Sequence, residues 1–324
     1  MKKNVAVLMG GYSSEYEISI KSGDTIFENI DKTKYNVFKV IIKTDSWFMR
    51  DEKNVNHKIL KDDFSVLIGD KKINFDIAFI MIHGSPGEDG IIQSYLESLG
   101  IAYTGCNSEI SKLTFNKNNC KNELQKFDIP MAKSIILKLD DFIDCENIIK
   151  KIGIPCFVKA NESGSSYGVF KVNKKNELTK AIENAFKYDS EILIESFLDG
   201  KEVSVGVMKF KNEIKVFGIT ELVTENDFFD YEAKYEGKSI EITPANITYE
   251  QKKRVTNIVK KIYSKLEMKG FSRSEFIVND NGIYYLETNT VPGLTSESIL
   301  PQQASCADIS LKELFVNAIN EAII

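Results

Sequence analysis

Histidine is nearly missing from this chain: His57 and His83 are the whole supply, far apart, which argues against a histidine metal site. The five cysteines, Cys106, Cys120, Cys145, Cys156 and Cys306, are odd in number and show no C-x-x-C spacing. A disulfide framework and a thiolate zinc site are therefore not expected, and a reducing cytosol is the default. An excess of positive charge is absent too. With a net charge of −5, no sequence-independent grip on nucleic acid is expected, and any anionic ligand must be met by local lysines. No apolar run approaches membrane-spanning length. The opening Met-Lys-Lys-Asn-Val-Ala-Val-Leu-Met-Gly lacks the length of a secretion signal, since glycines and charges follow at once. The expectation is a cytosolic protein with neither membrane nor nucleic acid as partner. What is present is ordinary: 324 residues, 43% hydrophobic and 27% charged, with room for two or three domains with cores of their own.

The first third alternates strands and helices. Val5–Met9 is an apolar run ending in Gly10-Gly11, and a helical pattern opens at Ser13-Ser14-Glu15 and lasts to Ile30. Strand, glycine turn and helix start make a ligand-facing corner, although Gly-Gly-Tyr-Ser-Ser-Glu is not the G-x-G-x-x-G of a dinucleotide site. Val37–Ile42 and Phe75–Ile82 are further strands, the second apolar enough to be buried on both faces. It runs into His83-Gly84-Ser85-Pro86-Gly87-Glu88-Asp89-Gly90 and the helix Ile91–Leu99. His83 suits a strand cap and a substrate contact equally. The polar stretch Asp45–Asp70 suggests no function.

A helix is expected over Ser108–Phe127, carrying Lys117. Lys159 ends the strand Ile154–Lys159 and meets Asn161-Glu162-Ser163-Gly164-Ser165-Ser166-Tyr167-Gly168, a loop of small residues able to fold its N–H groups over phosphate. It is not a Walker A loop, because strand Val169–Val172 follows it rather than a helix. The strand Glu191–Phe197 would present Glu195 and Leu198 to an adenosine, with Glu202 also in range. Glu202–Phe210 and Glu213–Leu222 read as an antiparallel pair, Asp227–Gly237 as a functional loop, Tyr249–Met268 and Ser310–Ala322 as helices. Leu311, Leu314, Phe315 and Ile319 of the last are core by default.

Phe271–Val278 and Ile283–Thr290 form a hairpin around Asn279-Asp280-Asn281-Gly282. A three-residue loop with Gly282 left-handed sets Asn279 opposite Ile283, Glu275 opposite Glu287 and Arg273 opposite Asn289, all four side chains on one face. Two carboxylates across a ladder repel unless a cation joins them, and with an amide oxygen alongside they suit Mg²⁺. A solvated face with aligned charges fits this stretch equally well.

Five motifs in order resemble the D-alanine–D-alanine ligases. They are Gly10–Ser19, His83–Gly90, Gly164–Val169, Asp230–Tyr235 and Leu286–Ser298, and together they span nearly the whole chain. The resemblance implies a mixed α/β (α+β) ATP-grasp fold: an N-terminal Rossmann-like parallel-sheet domain, 1–105, then two α+β subdomains, 106–195 and 196–324, that sandwich ATP. It implies ligation of two D-alanine molecules through an acylphosphate, with ADP and phosphate released, for peptidoglycan precursors. Lys117, Lys159, Ser166 and Lys234 would hold phosphates, and Glu195 and Glu202 the adenosine. Glu15, Ser165 and Tyr235 would orient the first D-alanine, with His83 beside it. Arg273 and a backbone N–H near Gly293 would face the oxyanion, and Ser298 and Ile299 the second D-alanine. Glu275, Glu287 and Asn289 would bind two Mg²⁺, or Mn²⁺. A homodimer is the family's common state. Glu275 stands where the family usually has Asp, Ala160 where proline is usual, and Tyr167 where valine is common. Tyr235 favours amide formation over the D-alanine–D-lactate activity of related ligases. A nucleotide-binding homologue without turnover is the rival from another class, and a dinucleotide oxidoreductase a poor third.

Overall fold

The structure, a computed structural model, describes residues 2–224 and 239–323. β1 (Lys3–Gly10) lies at the centre of the first sheet, and Val5 to Met9 are almost wholly inaccessible because both faces are covered. It pairs in parallel with β2 (Tyr35–Ile42) on one side and β7 (Ile77–Ile80) on the other, and β7 pairs in parallel with β8 (Ala102–Tyr103). The chain leaves β1 toward β2 and leaves β7 toward β8, so the strand order reverses between β1 and β7. In open α/β sheets a crevice forms at that point, outside the carboxyl ends. Gly10-Gly11 and His83-Gly84 are the two loops that diverge there.

The expected all-parallel sheet is only half of what forms. The polar stretch after β2 folds as β3 (Trp47–Arg50), β4 (Asn56–Leu60), β5 (Ser65–Ile68) and β6 (Lys71–Asn74), which extend the sheet in antiparallel fashion. Strands of four or five residues carry little periodic signal, and each is stabilised by the neighbour it pairs with.

Helix α1 (Tyr16–Asn29) lies on β1, with Gly23 against Met9; a Cβ there would fall 2.6 Å from the Met9 side chain. Ser19 Oγ accepts from Gly10 N (2.8 Å) and donates to Met81 O (2.6 Å), satisfying strand-end groups that no ladder reaches. Helix α2 (Ile91–Ser98) follows the second loop.

A single helix over Ser108–Phe127 does not form. α3 (Ser108–Phe115) stops at Asn116, whose backbone is extended and whose Oδ1 accepts from Asn119 N (2.9 Å), starting α4 (Lys117–Gln125). An asparagine inside an otherwise helical run competes as a cap, and here it wins.

The second sheet is antiparallel, ordered β11 (Val169–Val172), β10 (Cys156–Ala160), β12 (Glu191–Ser196), β9 (Ser134–Lys138). Helices α5 (Cys145–Ile152) and α6 (Leu178–Ala185) cover one face. The third sheet runs β15 (Ser239–Ile242), β14 (Glu213–Thr224), β13 (Lys201–Phe210), β16 (Phe271–Asn279), β17 (Gly282–Asn289). Helix α7 (Tyr249–Lys265) packs on it through Val255, Val259 and Ile262 and starts with a reciprocal Thr248–Gln251 capping box. Two more helices follow, α8 (Ile299–Cys306) and α9 (Leu311–Ile323). Phe315 of α9 meets Phe79 of β7 edge-on at 5.6 Å, so the chain's last helix closes the core of its first sheet. Leu314, Phe315 and Ile319 are core as expected, whereas Leu311 is only partly buried.

Candidate active site

The β16–β17 hairpin sets the chemistry. Glu275 faces Glu287 and Arg273 faces Asn289, as the sequence predicts, but by a different route. The turn is shorter: Asn279 pairs with Gly282, which does not take the left-handed conformation. A bulge at Leu286 then restores the register between Glu275 and Phe276. A tight turn and one extra residue cancel, and the acidic pair ends up directly cross-strand.

Each carboxylate of the pair meets a cation. Arg273 Nη1 donates to Glu275 Oε1 (2.7 Å) and to Ser204 Oγ (3.0 Å), while Lys117 Nζ lies 3.5 Å from Glu287 Oε2. Asn289 Oδ1 accepts from Val291 N (2.9 Å), which bends the chain into the Val291–Ser298 turn. A Cβ on Gly293 would fall 2.8 Å from Ser298 Oγ, so glycine lets that turn close. Ser298 stands at the N-cap position of α8, a helix not expected from the sequence; Pro301 sits in its first turn, where proline is tolerated. The helix start therefore adds a partial positive charge beside Ser298 and Ile299.

The Asn161–Gly168 loop is fastened to the N-terminus of α4. Asn161 takes the Lys117 N–H on its carbonyl (3.2 Å) and the Asn118 N–H on Oδ1 (2.9 Å). Lys117 Nζ donates to Ser163 O (2.5 Å). Ser165 and Ser166 both adopt positive φ, +50° and +59°, a strained choice for consecutive non-glycine residues. It turns the Ser165 hydroxyl onto the Glu15 carboxylate across 150 positions of chain. Two members of the expected triad are thus in contact; Tyr235, like Lys234, lies outside the described residues.

Lys159 and Glu195 sit on neighbouring strands β10 and β12. Lys159 Nζ binds Glu195 Oε2 (2.7 Å), and Lys121 Nζ binds Oε1. Burial alone would raise the Glu195 pKa, but the two ammoniums overcome it and hold the carboxylate down at about 2. Glu195 thus meets lysines rather than standing free toward the cavity. The second lysine, Lys121, went unnoticed in the sequence because no local signal ties residue 121 to residue 195.

His83 makes hydrogen bonds of the capping kind and also borders the first cavity. Its Nδ1 donates to Val291 O (2.8 Å), and Nε2 lies 3.2 Å from Ser22 Oγ, which itself accepts from Leu294 N (3.3 Å). Burial depresses its pKa, so the ring is neutral and ties β7 to the Val291–Leu294 turn. Nearby Glu88, also missed in the sequence, accepts from Gly84 N (2.7 Å), and burial together with the Glu15 charge pushes it up to about 8. It is a neutral acid at pH 7.

Two adjoining cavities gather these groups. The first, about 610 Å³, is lined by Glu15, His83, Ser165, Arg273 and Asn289, with Gly293, Ser298 and Ile299 at its far side. The second, about 440 Å³, is lined by Lys159, Ser166, Glu195, Glu202 and Glu275, with Phe157, Phe197, Leu198 and Leu286 as an apolar slot. Lys117, Ser163 and Glu287 belong to both walls. The site residues read from the sequence, as far as they are described, all border one cavity or the other. Among the described residues no cluster of three or more His, Cys, Asp or Glu side chains could hold a metal; a carboxylate pair with a carboxamide is a different donor set.

Comparison with known proteins gives the same reading independently. The chain is 54% identical over 317 residues to the D-alanine–D-alanine ligase of Flavobacterium johnsoniae, covering 98% of each chain. It is 48% identical over 323 residues to that of Christiangramia forsetii, covering 100% of this chain and 99% of the relative. Its fold matches the D-alanyl-alanine synthetase A of Vibrio cholerae with a TM-score of 0.89 at 28% identity, over 100% and 99% of the two chains. It also matches the D-Ala:D-Ser ligase VanG of Enterococcus faecalis with a TM-score of 0.86 at 30% identity, over 99% and 100%. The expected mixed α/β ATP-grasp architecture holds. With the family models for the D-ala D-ala ligase N-terminus and C-terminus matching residues 4–106 and 124–320, this chain belongs to the D-alanine–D-alanine ligase family.

Proposed function

We propose that the protein joins two D-alanine molecules into D-alanyl-D-alanine at the expense of ATP, releasing ADP and phosphate, for peptidoglycan precursors. The observation that carries the reading is the shared wall of the two cavities. Lys117, Ser163 and Glu287 stand between a lysine-lined apolar slot suited to a nucleotide and a compartment built for a small amino acid. A γ-phosphoryl group delivered at that wall meets the carboxylate of a D-alanine held beside Glu15 and Ser165.

The transferred phosphoryl makes an acylphosphate, and the amine of the second D-alanine attacks its carbonyl carbon, expelling phosphate. Arg273, locked by Ser204 and Glu275, is aimed at the charge that develops on the carbonyl oxygen. The α8 start with Ser298 and Ile299 suits the second carboxylate. Little covalent chemistry falls to the protein; alignment and charge neutralisation supply the rate. The acylphosphate would hydrolyse in water, so the 161–168 loop, already joined to Glu15, serves as a cover.

The donor set of Glu275, Glu287 and Asn289 fits Mg²⁺: two carboxylates set cross-strand and an amide oxygen, all hard ligands, with Arg273 beside Glu275 and Lys117 beside Glu287. When bound, the ion would supply neutralisation of phosphate charge. We further assign the division 1–105, 106–195 and 196–324, a cytoplasmic site of action and a homodimer as the working state; no described helix is long and apolar enough to cross a membrane.

The test is direct. Purified protein with ATP, Mg²⁺ and D-alanine should release phosphate and form the dipeptide, and L-alanine should not replace D-alanine. No phosphate release at millimolar D-alanine would overturn the assignment. Product analysis with D-lactate or D-serine added tells whether the second position accepts anything else.

A further inference from the structure

Lys121 is buried to 3% exposure, a state that a lysine tolerates only when paired. It lies one helical turn after Lys117 on α4, so the two share a helix face. Lys117 reaches the wall between the cavities, while Lys121 lines neither of them. Its ammonium instead ends on Glu195 Oε1, behind the floor of the second cavity, and the other oxygen of that carboxylate binds Lys159. The side chain of Lys159 is the most exposed of the three, at 16%, against 3% and 4%.

Two ammoniums on one carboxylate leave one net positive charge, carried at the end that faces the cavity. Without Lys121, Glu195 would cancel the Lys159 charge, and Glu287 and Glu202, whose charges also act on Lys159, would weaken its pull on an anion further. A buried ion cluster is weak as a source of stability, since apolar residues of similar volume often do as well. An ion cluster set directly beneath the cavity, where apolar residues of similar volume would pack as well, therefore points to function.

We infer that Lys121 is a positioning residue for the nucleotide: it neutralises Glu195 from beneath and so leaves the Lys159 charge available to the phosphates. This rests on the nucleotide reading of the second cavity, and the experiment separates the two. Binding of a non-hydrolysable ATP analogue with Mg²⁺ is measured by calorimetry for the wild type, Lys121→Gln, Lys121→Arg and the double variant Lys121→Gln/Glu195→Gln. Glutamine removes the charge while keeping an N–H donor on a slightly shorter side chain. Lys121→Gln is expected to weaken the analogue ~10-fold, equivalent to about 1.4 kcal/mol, with the KM for D-alanine unchanged. Lys121→Arg binds as the wild type. The double variant restores one net charge; measured with inorganic triphosphate, which brings no adenosine for Glu195 to hold, it returns to within ~3-fold of the wild type.

Wild-type affinity in Lys121→Gln overturns the inference, and so does a double variant as weak as the single. A wild type that binds no analogue removes the nucleotide reading and this inference with it. Should Lys121→Gln not fold, the double variant decides alone: binding near the wild type supports the role, and ~10-fold weaker binding refutes it.

Discussion

Replacing Glu195 by glutamine tests the electrostatics of the second sheet. The substitution leaves Lys121 and Lys159 as two adjacent buried ammoniums with no counter-charge, in a cluster where the three side chains are 3%, 16% and 4% exposed. Removing one partner of a buried ion pair costs about 3–5 kcal/mol. The titration of Glu195 leads to the same size by another route: a carboxyl held from an ordinary 4.5 down to about 2 reports about 3 kcal/mol of stabilisation. The folded-state pKa is the lower one, so that contribution is complete above pH 4.5 and fades as pH falls toward 2. In the variant the lysines are the perturbed groups. With no carboxylate to offset burial their charge is disfavoured, so the cost is full at neutral pH and recedes as pH rises toward the unfolded lysine value. Calorimetric unfolding of both proteins from pH 3 to 10 should show the variant melting roughly 6–15 °C lower near pH 7. The gap should narrow toward both ends of the range. A gap under about 1 kcal/mol at pH 7, or one that ignores pH, would refute the reasoning.

Three further outcomes follow from the same geometry. Gly164→Ala needs no change of backbone but sets a Cβ 2.9 Å from Glu15 Oε2; kcat/KM for D-alanine should fall about 10–100-fold with the melting temperature unchanged, and unaltered kinetics would dissolve the Glu15–Ser165 link. Arg273→Lys replaces the long, delocalised guanidinium, whose Nη1 donates to both Ser204 and Glu275, with a shorter side chain ending in a compact ammonium that is set back from both. Steady-state assays should show kcat lowered about 10²–10³-fold, with the KM for ATP nearly constant. The His83 ring should titrate below the ordinary histidine value, with the neutral ring's proton on Nδ1, because burial opposes its charge; an NMR titration midpoint at or above about 6.5 would contradict this.

Much of the site was legible in the sequence because its signals are local. Alternation along two β-rich runs set Glu275 against Glu287, glycines marked the corners after β1 and β7, and small residues after Lys159 marked the loop that reaches Glu15. Even so, the hairpin reached its register by a shorter turn compensated at Leu286, since only a paired strand can show a bulge. The break at Asn116 depended on Asn161 and Glu162 meeting the new helix end. The neutral state of His83, the neutral acid at Glu88 and the Lys121–Glu195–Lys159 cluster were decided by the tertiary structure alone. Residue types and spacing determine which groups can do chemistry, because turns, caps and alternation act over a few residues. Their charge states wait on burial and on partners brought from distant parts of the chain, which only packing supplies.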